Sequence, residues 1–276
     1  MTIILGQRDT EYHANQAVGS TTAKLWLESP QLFKDERDGI RVRKDSKAFQ
    51  FGRAAHMRFT DRALYDATIG EGPVNPRTLR PYGAETGAYA EWVLANPGKV
   101  ILSPRDRADL GMMDRRMPEV VRGILSEPGG VPESSYYVTV AGVAVKCRPD
   151  WIARGTIWDL KTIANMAEAE KAISKWKYWF SHAWYRMIVK AETGVAMPFK
   201  FIFAEKNPPY RWRIAEIDAD WIGYADNVAD RVLGEIAEAQ RTGDYSDRGD
   251  VAIMASMPAW GDDSEFEDDE ENGISL

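Results

Sequence analysis

Two aspartates and a lysine near the middle of the chain have a spacing that brings them together in a β-hairpin. If Arg154-Gly155 forms a two-residue turn, Asp150 lies opposite Asp159. Directly opposed residues have Cβ atoms about 4.5–5.5 Å apart, and carboxylates this close repel each other unless a cation lies between them or one is protonated. Lys161 follows Asp159 by two residues, so its side chain projects from the same face.

This set of side chains is suited to the metal-assisted hydrolysis of a phosphodiester. Hard divalent cations such as Mg²⁺ prefer carboxylate oxygens, and a bound cation lowers the pKa of a water nucleophile. A nearby ammonium can stabilise the charge that develops on the phosphate. Glu133, just before the first of these strands, could add a third acidic ligand. The plain alternative is a surface hairpin with an Asp–Lys ion pair and an incidental second aspartate.

The elements that position the hairpin are β-strands rich in branched and aromatic residues. Glycines punctuate this section, and the pattern predicts three consecutive antiparallel strands over 134–140, 143–152 and 156–161. Another strand pair, 200–206 and 211–217, flanks Asn207-Pro208-Pro209. Within the hairpin, the face opposite the carboxylates carries Trp151, Trp158 and Leu160, which suit a buried sheet surface.

Helices are predicted on both sides of the strands. The first has Ser20 as its cap and ends at Ser29-Pro30, and a loop rich in glycine and proline covers 69–83. Apolar spacing predicts the later helices over 47–65, 84–95, 105–125, 165–192 and 219–241. The sequence therefore predicts an α/β or α+β fold, in which helices flank a central mixed β-sheet.

Composition excludes several classes of protein. Hydrophobic residues make up 44% of the chain and charged residues 28%, which is typical of a folded globular protein. No apolar run approaches 18 residues, and the N-terminus lacks the pattern of a secretory signal. The single cysteine, Cys147, excludes internal disulfides and multi-cysteine zinc or iron–sulfur sites. We therefore expect an intracellular protein without a membrane span.

The net charge of −7 originates in one segment near the C-terminus. Residues 262–271 hold eight acids and no bases, so the rest of the chain has 34 acidic and 35 basic residues. A near-neutral body is compatible with nucleic-acid binding, because a local basic groove attracts phosphates. We expect a single domain over 1–260 and a disordered acidic tail over 261–276. The tail could instead mimic the DNA backbone or dock a partner.

Several short motifs together resemble a known nuclease family. Pro149-Asp150, followed by Asp-Leu-Lys at 159–161, resembles the signature of the PD-(D/E)XK nuclease superfamily. The resemblance is to its RecE-type exonucleases (the exonuclease VIII nuclease domain) and extends over about residues 10–260. It includes YHA near the N-terminus, ESPQLF (28–33), FGRAAH (51–56), KCRPDWI (146–152), DLKT (159–162) and AEKNPPY (204–210). A restriction-endonuclease-like core is the fold that this resemblance implies.

The resemblance also implies roles for individual residues. His56 corresponds to the histidine of the family's G-x-x-x-H motif, and Gly52, one helical turn earlier, is expected to leave space beside the ring. Without the motif, a lone helical histidine is more often structural. The implied catalytic residues are Lys161, Asp150, Asp159 and Glu133. The implied metal ligands are His56, Asp150, Asp159 and the Leu160 carbonyl.

The sequence departs from the family at a Q-x-x-x-Y motif that helps to position DNA or the lysine. Tyr185 matches the tyrosine, but Ser181 stands where the family has glutamine. Serine is too short for the same reach, so either His182 substitutes or the contact is absent. Tyr185 could also be an ordinary core aromatic. Further DNA contacts could come from Arg77 and Arg80, and aromatic residues within 171–180 could stack on frayed bases.

The function that the resemblance implies is a metal-dependent, ATP-independent DNA exonuclease. It would use Mg²⁺ or Mn²⁺, degrade linear double-stranded DNA from its ends in the 5′ to 3′ direction and leave single strands for recombination. A ring-like homo-oligomer, a single-strand annealing partner and a bacterial cytoplasm, with a phage or prophage origin, are also implied. Two alternatives remain: an inactive or weakly active DNA-binding or assembly protein on this fold, and an endonuclease.

Overall fold

The computed structural model describes residues 2–41 and 46–247. The described residues up to Tyr245 form one compact unit. A second unit covers residues 246–276, of which only the first two are described. The predicted domain boundary at residue 260 and the acidic segment therefore lie outside the described residues. Within 2–41 and 46–247, no helix combines the length and the apolarity needed to cross a membrane.

The described part of the chain contains eleven α-helices and ten β-strands. The helices are α1 (Asp9–Ala14), α2 (Ser20–Trp26), α3 (Pro30–Arg37), α4 (Lys47–Thr60), α5 (Arg62–Thr68), α6 (Gly87–Ala95), α7 (Pro104–Arg116), α8 (Glu119–Leu125), α9 (Ala169–Lys175), α10 (Tyr178–Thr193) and α11 (Ala219–Thr242). The strands are β1 (Thr2–Ile4), β2 (Ile69–Gly70), β3 (Val100–Ile101), β4 (Val131–Pro132), β5 (Ser135–Val140), β6 (Val143–Cys147), β7 (Trp151–Ala153), β8 (Thr156–Ile163), β9 (Phe199–Glu205) and β10 (Trp212–Ala215).

The central sheet is mixed and has five strands in the order β10-β9-β8-β7-β4. Only β8 and β9 run parallel, and the helical segment between them provides the crossover that a parallel pair requires. The turn between β7 and β8 is the predicted one: Arg154 and Gly155 both have positive φ, and Trp151 pairs with Trp158. A mixed sheet with flanking helices confirms the predicted fold class.

A second sheet corrects the prediction of one long strand over 143–152. Its order is β1-β5-β6, so the chain leaves this sheet after Cys147 and joins the central sheet at Trp151. The intervening Pro149 has no N–H to donate to a ladder, which explains why the strand breaks there. A short parallel pair, β2 with β3, also begins inside the predicted loop over 69–83.

Alternate residues of the two central strands face separate hydrophobic cores, so the sheet is buried on both sides. One core lies against α2, α10 and α11 and includes Ile157, Phe199, Phe201 and Phe203. The other lies against α4, α7 and α8 and includes Trp151, Trp158, Leu160, Ile202 and Ala204. The predicted apolar face of the hairpin is confirmed. Each large apolar side chain buried here contributes roughly 1.5–3 kcal/mol.

Three of the predicted helices are interrupted. Asp61 ends α4 and caps α5 by accepting a hydrogen bond from the Leu64 N–H, and Pro118 separates α7 from α8. Lys177, with a φ of 50°, separates α9 from α10. The first predicted helix corresponds to α2, whose N-cap is Gly19 and not the predicted Ser20. Ser29 caps α3, where its side chain accepts from the Leu32 N–H at 3.0 Å.

Candidate active site

The β7–β8 hairpin places the carboxylate of Asp159 and the ammonium of Lys161 together on the side of the sheet that faces α10. Asp159 lies on the same face of β8 as Ile157, and the residue is only 3% exposed. The Lys161 Nζ lies 2.6 Å from Asp159 Oδ2. The expected projection of these side chains from one face is therefore confirmed, and the ion pair is largely shielded from water.

Asp150 is held at the beginning of the hairpin by contacts to both of its carboxylate oxygens. The Leu160 N–H donates to Oδ2 at 2.6 Å, and His56 Nδ1 lies 3.2 Å from Oδ1. His56 comes from the middle of α4, whose apolar residues, such as Phe51 and Phe59, pack in the second core. Packing of this helix against the sheet therefore delivers the imidazole to the carboxylate.

Burial and neighbouring charges give the two aspartates opposite pKa shifts. Burial raises the pKa of Asp150, but His56, Lys161 and the Leu160 N–H outweigh it and lower the value to about 2. Burial also raises the pKa of Asp159. Lys161 lowers this pKa and the negative charge of Asp150 raises it, and the value stays above the ordinary one. Asp150 is therefore firmly ionised, whereas the charge on Asp159 is unfavourable.

The two cationic partners keep their protons because they lie beside these acids. Burial lowers the pKa of Lys161, but Asp159 and Asp150 outweigh it and hold the value well above the ordinary one. The pKa of His56 is likewise raised, because the charge and hydrogen bond of Asp150 exceed the effect of burial. Lys161 Nζ also lies 5.2 Å from the centroid of the Tyr178 ring, which adds a cation–π contact.

Glu133 lies beside Asp150, but its carboxylate forms an ion pair with Arg148. Its N–H donates to the Asp150 carbonyl at 3.2 Å, and its Oε2 lies 3.9 Å from Arg148 Nη2. Burial raises the pKa of the Glu133 carboxyl, against the effect of Arg148. Arg148 also pairs with Asp9 and lies over the Tyr12 ring, 4.5 Å from its centroid. The N-terminal segment is thus fastened next to the site.

The donor set has the chemistry of a site for a hard cation, although it is not preassembled. Within the described residues, no three His, Cys, Asp or Glu side chains form a ready metal-binding group. However, Asp159 Oδ2 is buried and accepts no hydrogen bond of good geometry, despite its ion pair with Lys161. Asp150 supplies a second ionised carboxylate nearby. Two carboxylates with an imidazole fit Mg²⁺ or Mn²⁺.

A comparison with protein families assigns the domain that carries this site. Residues 19–253 match the family described as a PDDEXK-like domain of unknown function, DUF3799. The chain belongs to this family. The predicted membership of the PD-(D/E)XK superfamily is thereby confirmed, and nucleases with PDDEXK domains generally use divalent metal ions.

One solved structure agrees with the fold of this PDDEXK-like domain. A proposed exonuclease from Eubacterium rectale superimposes with a TM-score of 0.63 at 15% sequence identity, covering 94% of this chain and 96% of that chain. A second structure, SSO0001, gives a TM-score of 0.24 at 14% identity, covering 82% and 87% of the two chains, which is too low to indicate a shared fold. The comparison with curated proteins gave no match.

The structure contradicts the prediction that His182 could replace the family's glutamine at the DNA. In this PDDEXK-like domain His182 is 2% exposed, and its ring centroid lies 4.9 Å from that of Phe199. Burial and the charge of Arg186 lower its pKa to about 3, so the ring is neutral. The periodicity of α10 directs this side chain into the first core, where DNA cannot reach it.

Ser181 is buried, whereas Tyr185 is half-buried at the edge of the first core. The Ser181 hydroxyl is buried, 3.4 Å from the Ser20 hydroxyl, which leaves it unsuited to a DNA contact. Tyr185 packs edge-on against Phe199. Burial raises its pKa well above the ordinary value, and the charges of Asp159 and Asp150 contribute. Tyr185 therefore packs on the first core and also lies near the acidic group, so both of its predicted roles, a DNA contact and a core aromatic, remain open.

Arg77 and Arg80 lie outside the group that the hairpin assembles. Both are exposed in the segment that connects β2 to α6. The Asn75 side chain organises this segment by accepting from the N–H groups of Arg77 and Thr78. Among the described residues, neither arginine makes an ion pair with the aspartates. The suggestion that they contact DNA remains a prediction.

Three residues make contacts at the site that were not predicted, although one of them, Tyr178, lies in the aromatic run over 171–180 that was expected to stack on frayed bases. They are Tyr178, which lies against Lys161, Lys24, which lies on the same ring, and Arg148, which pairs with Glu133. Arg148 directly precedes the Pro149-Asp150 motif, and Tyr178 lies in a segment rich in lysine and aromatics. These positions in the sequence were the only indications that Arg148 and Tyr178 lie near the site, and the sequence around Lys24 gave no such indication.

Proposed function

We propose that this protein is a metal-dependent nuclease that removes nucleotides from the ends of linear double-stranded DNA. The single observation that carries the proposal is the ammonium of Lys161, held 2.6 Å from Asp159 beside a second ionised carboxylate, Asp150. Membership of the PDDEXK-like family supports a phosphodiester as the substrate. Hydrolysis of this bond breaks one P–O bond and consumes one water molecule.

In this proposal, Asp150, Asp159, the Leu160 carbonyl and His56 hold the cation, with Glu133 as an additional acid. A bound Mg²⁺ or Mn²⁺ would lower the pKa of a water molecule and neutralise charge on the phosphate. His56 must lose its proton to act as a ligand, which separates it from its ion pair with Asp150. Glu133 would likewise leave its ion pair with Arg148 in order to bind the cation.

Lys161 acts in this scheme as a fixed positive charge and not as a base. The pKa of its ammonium is raised by Asp159 and Asp150, so Nζ keeps its proton throughout the neutral range. An ammonium in a partly dry site stabilises the growing charge on the phosphate oxygens more than it would in water. The Tyr178 ring limits the positions that Nζ can take.

The finer features of the proposal come from the RecE-type resemblance. They are 5′ to 3′ polarity, independence from ATP, a ring-like homo-oligomer and an annealing protein that receives the single strand for recombination. The structural likeness to a proposed exonuclease from Eubacterium rectale supports an enzyme of this kind. These features make specific statements about the substrate: linear DNA is degraded, and closed circular DNA resists.

Nucleotide release from linear and closed circular duplexes tests this function. With Mg²⁺ or Mn²⁺, we expect the linear duplex to lose nucleotides and the circle to remain intact. Asp159→Ala and Lys161→Ala should each lower the rate by at least about 10²-fold, because the first removes a proposed ligand of the cation and the second removes the ammonium that stabilises charge on the phosphate. DNA labelled at its 5′ or 3′ ends reports the polarity. Equal background release by all three proteins would overturn the proposal.

A DNA-binding protein without turnover is a second candidate that one observation favours. Ser181, which replaces the family's glutamine, is buried and cannot make the same contact. Under this alternative, the wild type and the Asp159→Ala variant bind linear DNA equally well, and neither releases nucleotides. Cleavage of the closed circle would instead identify an endonuclease.

A further inference from the structure

An exposed tryptophan marks the break between α9 and α10. Trp176 is 47% exposed, whereas its aromatic neighbours are packed: Phe180 is buried, Trp179 contacts Tyr224, and Tyr178 contacts Phe201. The left-handed backbone of Lys177, with a φ of 50°, prevents the two helices from joining here. The indole therefore stays outside the core that accepts the rest of this aromatic run.

Lysine side chains contact both the indole and the backbone of Trp176. Lys175 Nζ lies 5.3 Å from the centroid of the Trp176 ring, and Lys24 Nζ donates to the Trp176 carbonyl at 3.1 Å. Within the described residues, neither Lys24 nor Lys175 forms an ion pair with a carboxylate. Lys177 differs because it pairs with Glu28 at 2.8 Å. The surroundings of Trp176 suit an anionic partner and not an apolar one.

A single aromatic ring, that of Tyr178, lies between Lys24, which binds the Trp176 carbonyl, and the candidate catalytic lysine. Lys24 Nζ lies 5.5 Å from the centroid of the Tyr178 ring, and Lys161 Nζ lies 5.2 Å from the same centroid. Burial and the charge of Lys161 lower the pKa of Lys24 to about 7. An anion beside Lys24 would relieve this unfavourable charge, and the nearest anion in the proposed reaction is a phosphate of the DNA.

We propose that Trp176 and Lys24 form a subsite for an unpaired nucleotide of the DNA strand, next to the phosphodiester at Lys161. The base stacks on the exposed indole, and Lys24 binds the phosphate of the same nucleotide. Stacking on an aromatic face requires an unpaired base and accepts any base, because every base has a flat π-face. This inference rests on the proposed function and specifies its substrate: a duplex end with unpaired nucleotides.

Binding measurements without turnover test the subsite. The full chain in EDTA is titrated onto a blunt duplex and onto the same duplex with three unpaired nucleotides, one of which is 2-aminopurine. We expect Trp176→Ala to weaken binding of the second DNA about tenfold and of the blunt DNA less than twofold. Trp176→Phe should restore most of the affinity and the quenching of 2-aminopurine. Lys24→Gln should reduce the slope of log affinity against log salt by about one.

Tyr224→Ala is the matched control, because Tyr224 is an aromatic residue that is 57% exposed on α11 and contacts only Trp179 among the described rings. This variant should bind both DNAs with affinities within twofold of those of the wild type. Equal losses on the two DNAs after Trp176→Ala, or no loss on either, would overturn the inference. Because the assay needs no hydrolysis, a subsite that fails here leaves the nuclease proposal standing, and failure of hydrolysis by the wild type does not alter the binding result.

Discussion

His56 Nδ1 lies 3.2 Å from Asp150 Oδ1, so α4 and the segment that leads into β7 meet at one ion pair. A second ion pair, Lys161 with Asp159, lies beside it on the hairpin. The two pairs balance their charges while every group is ionised. A divalent cation would disturb this balance and favour loss of the His56 proton.

The two aspartates should differ in their effect on stability. Asp150→Asn removes a charge that the fold favours, and the lowering of its pKa from about 3.8 to about 2 corresponds to about 2 kcal/mol at neutral pH. Asp159→Asn removes a charge that the fold disfavours, so its cost should be clearly smaller. Urea unfolding at pH 7 in EDTA measures both. A larger loss for Asp159→Asn would contradict the opposite pKa shifts.

His56→Ala should weaken cation binding without preventing folding. The ring is partly exposed, while the apolar residues of α4 that hold the helix remain in place. We expect the Mn²⁺ concentration that gives half of the thermal stabilisation to rise at least about tenfold. His13→Ala is the control, because His13 is an exposed histidine paired with Asp9. Equal Mn²⁺ responses of the two variants would exclude His56 as a ligand.

Gly52→Ala should stabilise the protein and leave its activity intact. The sequence-based expectation that Gly52 makes room for the His56 ring is wrong: a Cβ at this position meets only Thr162 Oγ1, at an ordinary 3.7 Å. Alanine favours the interior of a helix over glycine by about 0.5–1 kcal/mol. Gly70→Ala is the contrasting control, since its Cβ would collide with the Trp92 ring. Thermal unfolding should separate the two, and destabilisation by Gly52→Ala would contradict this packing.

Acid should destabilise the fold through His182. Burial depresses the pKa of His182 to about 3, whereas an unfolded histidine titrates near 6.5. Between these values the unfolded chain binds a proton that the folded chain does not, so stability falls as the pH falls. The loss between pH 7 and pH 5 should be about 2 kcal/mol. Its Nδ1 has no hydrogen-bond partner, so phenylalanine can replace the ring.

Urea unfolding of the wild type and of His182→Phe at both pH values measures this effect. The variant lacks the titrating group and should lose correspondingly less stability between pH 7 and pH 5. If both proteins lose the same amount, His182 does not remain neutral in the fold.

The hairpin could be predicted because its information is local. Arg154-Gly155 fixes the turn, the turn fixes the register, and the register places Trp151 opposite Trp158 and Lys161 on the same face as Asp159. The fold class followed from similar local patterns. Superfamily membership needed the order of several motifs, because Asp-x-Lys alone is common.

The parts that could not be predicted depend on contacts between distant segments. Nothing near Lys24 in the sequence indicates that it would share the Tyr178 ring with Lys161. His182 was misjudged because its burial depends on how α10 packs against β9. Pro149 did give a local signal, but its effect, the transfer of the chain between two sheets, was not recognised.

Because the chain passes from one sheet to the other at Pro149, Asp150 lies at the junction between the two sheets. Asp150 lies between the last strand of one sheet and the first residue of β7 in the other, and its carboxylate is held by the Leu160 N–H of β8 and by His56 of α4. A fluctuation that moves α4 or β8 away from this junction would displace the carboxylate. The candidate site is therefore complete only while both α4 and the hairpin stay in place.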